Sequence, residues 1–168
     1  GAGAAGLNLA PPPCGFSGRR VLLGVTGGIA AYRAAELARS LTRQGAQVRV
    51  IMTEHATKLV APLTFATLTG NPVALDQFRR GDESEGQLPH ITLRQWAEVL
   101  VICPATANIL AKCARGIADD LLSTTYLSCS KLPVVFVPAM NPDMWAHSAV
   151  VENITVLRRR GHRIVGPD

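Results

Sequence analysis

The stretch RVLLGVTGGIAAYRAAELARSLTRQGAQVRVIMT, residues 20–53, constrains the fold more than any other part of the chain. RVLLGV is a short apolar run that ends in Thr26-Gly27-Gly28, which predicts a buried strand entering a tight turn. Ala30, Ala34, Leu37, Ala38 and Leu41 then recur at helical spacing, and Gly45 is a natural helix stop. In AQVRVIMT, Val48, Val50 and Met52 alternate with Gln47, Arg49 and Ile51, which predicts a second strand. Strand, helix and strand with short links form a βαβ unit, whose crossover is right-handed.

The same alternation continues downstream. HATKLVAPLTFATLTG predicts one or two short helices, and residues 71–90 read as a polar, irregular loop. AEVLVIC and KLPVVFVPAM predict two more strands. Between them lies a helical stretch, PATANILAKCARGIADDLLSTTYLSC, broken near Gly116. Residues 148–160 predict an amphipathic helix with Val151, Ile154 and Leu157 on one side, and GHRIVGPD opens a fifth strand. This order implies the α/β class: an open, doubly wound parallel sheet flanked by helices, Rossmann-like in outline. A closed eight-unit barrel is excluded, because 168 residues are far too few. One domain over 19–168 is expected, preceded by a flexible arm, 1–18, rich in small residues and carrying Pro11-Pro12-Pro13.

Composition narrows the function classes. Hydrophobic residues make up 48% and charged residues 17%, which suits a sizeable core and argues against disorder. The net charge of +5 is scattered over short clusters such as Arg79-Arg80 and Arg158–Arg160. No basic stripe is interleaved with aromatics, so nucleic acid is not an expected partner. No run approaches the ~20 apolar residues of a membrane span, so a membrane is not expected either. Cys14, Cys103, Cys113 and Cys129 form no CxxC and no metal-type spacing with histidine. They read as reduced thiols of a cytoplasmic protein, with no metal site.

In an open α/β sheet, ligands bind beyond the carboxyl ends of the strands. The first strand ends in Thr26-Gly27-Gly28-Ile29, the second in Thr53-Glu54-His55, the third in Pro104–Asn108 and the fourth in Pro138-Ala139-Met140-Asn141. Each loop alone has two readings. The glycines serve turn geometry or close approach of an anion, and Thr106 is an ordinary helix cap or a phosphate contact. Four small or polar loops on one sheet edge together describe a cofactor cleft. His90, just ahead of the third strand, is the acid/base candidate, with a structural histidine as the alternative. Asp119-Asp120 reads as a helix-associated pair, contacting a loop or a neighbouring subunit, with substrate contact the other possibility. There is no GxSxG elbow, HExxH or P-loop lysine.

GVTGGIAAY, PHITLRQWA, PATANILAK, ADDLLSTTYL and PAMNPDMW occur in this order. Together they resemble the flavin-dependent cysteine decarboxylases, a family that includes phosphopantothenoylcysteine decarboxylases and the decarboxylases of C-terminal cysteines in lanthipeptides. The resemblance runs from Arg19 to Asp168. It implies an FMN-binding fold assembled as homotrimers, sometimes as homododecamers, with sites between subunits. By position it implies FMN contacts at Gly28, Ile29 and Ala30, at Thr53, Glu54 and His55, and at Thr106, Ala107, Asn108 and Ile109, with Ala139 and Phe65 beside the flavin. It implies that His90 is the active-site histidine, that Asn141 binds the substrate carboxylate, and that Met144 lies on the substrate side.

The implied chemistry is physically coherent. A cysteine carboxylate resists decarboxylation because the carbanion has nowhere to delocalise. Oxidation of the thiol to a thioaldehyde by FMN creates the missing electron sink. The coenzyme A branch then reduces the enethiol and uses a cysteine in a flap beyond the equivalent of VGPD, so that flap is expected to be absent from these 168 residues. The first expectation is conversion of 4'-phospho-N-pantothenoylcysteine to 4'-phosphopantetheine. The alternatives are oxidative decarboxylation of a peptidyl cysteine and a non-catalytic flavin-binding regulatory subunit.

Overall fold

The computed structural model describes residues 15–75 and 89–167. Five strands form one parallel sheet: β1 (Arg20–Val25), β2 (Gln47–Met52), β3 (Val99–Ala105), β4 (Val134–Pro138) and β5 (Arg163–Ile164). Their spatial order is β2-β1-β3-β4-β5. From β1 the chain crosses outward to β2 and later returns to β3 on the other side, so a crevice opens between the β1 and β3 ends.

Side-chain alternation assigns the two faces of the sheet. Val21, Leu23 and Val25 of β1 join a core with Val48, Val50 and Phe65. That face is covered by α1 (Ala31–Arg43) and α3 (Pro62–Thr69). On the opposite face Leu22 packs with Ile102, Leu110, Phe136 and Leu157. The helices there are α4 (Pro89–Trp96), α5 (Ala107–Arg115), α6 (Leu121–Ser128) and α8 (Ser148–Arg159). α2 (Glu54–Thr57) and α7 (Pro142–Ala146) are single turns following β2 and β4. At Gly24 an added Cβ would lie 2.5 Å from Leu122 Cδ1, so the Leu122 side chain of α6 packs directly onto the β1 backbone.

Several expectations need correction. Ile51 is fully buried, so β2 does not alternate cleanly; its end is covered on both faces, as is usual in parallel sheets. Arg49 is half-buried, with its guanidinium 4.7 Å from the Trp96 ring centroid. The buried stripe of α8 runs through Val150, Asn153, Ile154 and Leu157, while Val151 is exposed; Val150, not Val151, is in phase with Ile154 and Leu157. Part of the expected loop 71–90 is ordered: Ala74 bridges to the β2 edge, and Asn71 Nδ2 donates to the Val48 carbonyl at 2.9 Å. Its end, Pro89-His90, begins α4, and 76–88 lies outside the described residues. Of the expected arm, 15–18 forms a turn whose Gly18 N–H donates to the Gly45 carbonyl at 2.9 Å, and 1–14 lies outside the described residues.

His162 is half-buried. Its Nε2 lies 2.7 Å from the Tyr126 hydroxyl. That hydroxyl also accepts from Arg160 Nη1 at 3.0 Å. Arg160 also donates to the Cys113 and Ala114 carbonyls, both at 2.6 Å, closing the end of α5. Burial, and then the Arg160 charge, hold the His162 pKa below its ordinary value. The native state therefore binds fewer protons here than the unfolded chain. This contribution is complete above a pH of about 6.5 and is lost as pH falls below it. Melting temperature is expected to drop between pH 7.5 and 5.5, with a smaller drop for His162→Gln; equal drops would show that His162 is not the coupled group.

Candidate active site

The four strand-end loops are tied together before any ligand is considered. Thr26 is almost fully buried, and its hydroxyl donates to the Pro104 carbonyl. The Thr53 N–H donates to the Val25 carbonyl at 3.0 Å, and the Ala139 N–H to the Ala105 carbonyl at 3.1 Å. Thr53 and Thr106 cap the helices that follow them, accepting from Ala56 N and Ile109 N, each at 3.2 Å. The helix-cap reading of Thr106 is thus correct, and it does not exclude a ligand role. The cap uses one N–H of the first turn of α5, and Ala107 and Asn108 of that turn line a cleft.

That cleft is about 600 Å³, within the range of small-molecule sites. It brings together Thr53, Glu54 and His55 with Thr106, Ala107, Asn108 and Ile109, and Met144 closes one side. Among the expected residues, Ile29, Ala30, Ala139 and Asn141 line a second, adjoining cleft of about 300 Å³. Loop β1–α1 is the wall between the two, since Gly27 faces the first and Ile29 the second. Gly28 sits within this wall, where an added Cβ would lie 3.5 Å from Thr106 Cγ2.

Two expected residues are elsewhere. Phe65 is fully buried in the core on the α1/α3 face and lines neither cleft, because α3 turns it inward onto the sheet. His90 is half-buried in the first turn of α4 and likewise lines neither cleft of its own chain.

Asn141 has a defined orientation. Its Oδ1 caps α7, accepting from Met144 N at 2.9 Å. The oxygen is thereby engaged, which distinguishes it from the amide NH₂ and leaves two donors on an exposed side chain at the cleft edge.

Thr26 and Gly27, expected only as part of the first strand-end loop, line the larger cleft; sequence reasoning missed Lys112 there and Tyr32 and Arg33 in the smaller. Lys112 follows Asn108 by one helical turn, a spacing that signals a shared face. Its ammonium meets Asp119 at 2.8 Å and Asp120 at 3.7 Å. Burial works against this charge, but the two aspartates outweigh it and hold the lysine pKa above its usual range. Asp120 also caps α6 through Ser123 N at 2.8 Å. The pair is therefore helix-associated, as expected, and it also lines the cleft. Lys112 therefore meets the cleft already paired with carboxylates.

A family model described as Flavoprotein matches residues 14–168. The chain belongs to the Flavoprotein family. It is 46% identical over 149 residues to the coenzyme A biosynthesis bifunctional protein CoaBC of Mycobacterium bovis, covering 89% of this chain and 34% of that protein. It is 44% identical over 152 residues to CoaBC of Bacillus subtilis, covering 90% and 37%. The chain thus spans about a third of the length of the curated relatives it matches. Among solved structures, the FMN-dependent cysteine decarboxylase SpaF superposes with a TM-score of 0.82 at 39% identity, covering 91% of this chain and 86% of that one. A PPC decarboxylase variant complexed with pantothenoylaminoethenethiol superposes with a TM-score of 0.79 at 29% identity, covering 90% and 83%. The Rossmann-like flavoprotein architecture read from the alternating strands and helices is the one these relatives share.

The described cysteines of this family member are buried and unpaired in any disulfide. Burial pushes the Cys103 and Cys129 thiols up to about 11 and Cys113 to about 12. Among the described residues, no helix is long and apolar enough to cross a membrane, and no cluster of three acidic, histidine or cysteine side chains could hold a metal ion.

Proposed function

We propose that this domain is an FMN-dependent cysteine decarboxylase acting on 4'-phospho-N-pantothenoylcysteine and yielding 4'-phosphopantetheine for coenzyme A biosynthesis in the cytoplasm. The observation that carries this reading is Asn141. Its capping bond fixes the amide and presents a neutral donor at a cleft edge. A neutral donor can bind a carboxylate without the permanent ion pair that would stabilise the ground state over departing CO₂. The similarity to CoaBC supports the pantetheine-type substrate.

The larger cleft fits the flavin in kind. It combines a helix start, capped threonines and apolar walls from Ile109 and Met144. Thr53–His55 and Thr106–Ile109 would hold the cofactor, with Ala139 and the β1–α1 loop beside it. When bound, FMN would take two electrons from the substrate thiol before CO₂ leaves and return them to the enethiol afterwards, so that the saturated thiol is formed with no net redox change. Within this reading Asn141 orients the carboxylate, Met144 excludes water, and His90 manages the thiol proton. His90 lines neither cleft of its own chain, which supports a site completed by a second subunit, as in a homotrimer or a homododecamer built from trimers. Ile29 is 98% exposed beside the cleft, and Leu63 is exposed on α3, which also supports burial by another copy.

A second reading, decarboxylation of a peptidyl cysteine to an enethiol, is favoured by the similarity to SpaF. Incubation of the FMN-loaded protein with phosphopantothenoylcysteine and with a cysteine-terminated peptide separates the two by product mass. Loss of CO₂ from the former alone is expected, and loss from neither would defeat both readings. In the same assay His90→Asn is expected to lose most turnover; full retention would remove His90 from the mechanism.

A further inference from the structure

Backbone pairing between β1 and β3 stops at Gly24↔Ile102, whereas pairing between β1 and β2 continues to Val25↔Met52. The interruption has a local cause. Pro104 has no N–H to give to a ladder, and the register between β3 and β4 shifts between Ile102 and Ala105. The β1 and β3 ends therefore separate without main-chain bonds at the mouth of the crevice. Pro104 is buried there, and its carbonyl needs a donor.

Thr26 supplies it. The hydroxyl donates to the Pro104 carbonyl and accepts from the Thr106 N–H at 3.4 Å. One side chain thus replaces the missing rungs and joins the β1–α1 loop to the start of α5. Its only proton is committed to Pro104, so the hydroxyl has no donor left for a ligand, although Thr26 lines the cleft.

We propose that Thr26 is a positioning residue for the cofactor: its hydroxyl sets the spacing between the two loops that flank the bound flavin. This rests on the reading of the larger cleft as the FMN site. Thr26→Val preserves shape and removes both bonds, leaving the buried Pro104 carbonyl unpaired; Thr26→Ser restores them without the methyl group.

The test uses the full chain with FMN as the probe. Fluorescence quenching gives the dissociation constant, the visible band reports the flavin surroundings, and melting without FMN reports the fold. FMN affinity is expected to fall about tenfold or more for Thr26→Val, with a shifted visible band, and to stay within about threefold for Thr26→Ser. Unaltered affinity and spectrum in a folded Thr26→Val would overturn the proposal, as would equal losses in both variants. If Thr26→Val does not fold, the serine variant still decides: affinity and spectrum close to those of the unaltered protein support the hydroxyl's role, and a loss of about tenfold overturns it. Failure of the unaltered chain to bind FMN would instead overturn the cofactor reading beneath it.

Discussion

Asn141→Asp is expected to reduce decarboxylation at least about 100-fold while leaving the fold and FMN binding intact. The substitution separates two roles that the native side chain combines. Its Oδ1 caps α7 through Met144 N, and an aspartate oxygen does the same; aspartate and asparagine are comparable N-caps. The added negative charge also suits a helix start. What changes is the other end of the group: two amide donors become an anionic oxygen, which in the proposed site would face the substrate carboxylate. A hydrogen bond to a charged group is worth roughly 1.5–3 kcal/mol, and repulsion between like charges adds to the loss. At about 1.4 kcal/mol per tenfold, the sum reaches two orders of magnitude in kcat/KM. Steady-state turnover and melting temperature, measured side by side, check this. Wild-type turnover would show that Asn141 does not hold the carboxylate, and a large fall in melting temperature would show that its contacts exceed the cap.

The strand-end loops were legible because they follow from local rules. Apolar runs predicted β1, β3 and β4, alternation predicted β2, and a doubly wound sheet brings their carboxyl ends to one edge. That logic reached Thr53, Thr106 and Asn141 without knowledge of a single contact. It placed Thr26 in the first loop but not its bond to Pro104, because a threonine after a buried strand carries no sign that a proline two strands away in sequence will need its proton. Nor did it reach Lys112, although helical spacing from Asn108 would have sufficed. Phe65 shows the converse limit. It was expected beside the flavin from the resemblance by position, which does not say which way a short helix turns, and α3 points this ring into the core. His90 is the hardest case: the chain places it in the first turn of α4, and its part in the chemistry depends on the proposed assembly with a second copy.

Gly27 and Gly28 are adjacent and look equivalent in sequence, yet their alanine variants are expected to behave differently. Neither has a positive φ, so backbone strain does not distinguish them. Space does. A Cβ on Gly27 would lie 2.5 Å from His55 Cβ and 2.9 Å from the His55 backbone carbon, contacts that cannot be relieved by rotating a side chain tip. The β2–α2 loop must move, and this loop carries Thr53, Glu54 and His55 along one wall of the larger cleft. Overpacking of this kind costs about 1–3 kcal/mol. Gly27→Ala is therefore expected to lower stability by that amount and, with the larger cleft as the proposed FMN site, to weaken FMN binding at least about tenfold. A Cβ on Gly28 meets Thr106 Cγ2 at 3.5 Å and Pro104 Cγ at 3.6 Å, ordinary contacts that the apo fold can accept. Gly28→Ala is expected to retain its melting temperature without FMN, so any loss of affinity there measures how closely the cofactor approaches the backbone. Thermal melts without flavin, followed by FMN titration of both variants, test the distinction. A Gly27→Ala protein with native stability and affinity would mean that the β2–α2 loop yields freely, and that its contact with the first loop does not shape the cleft.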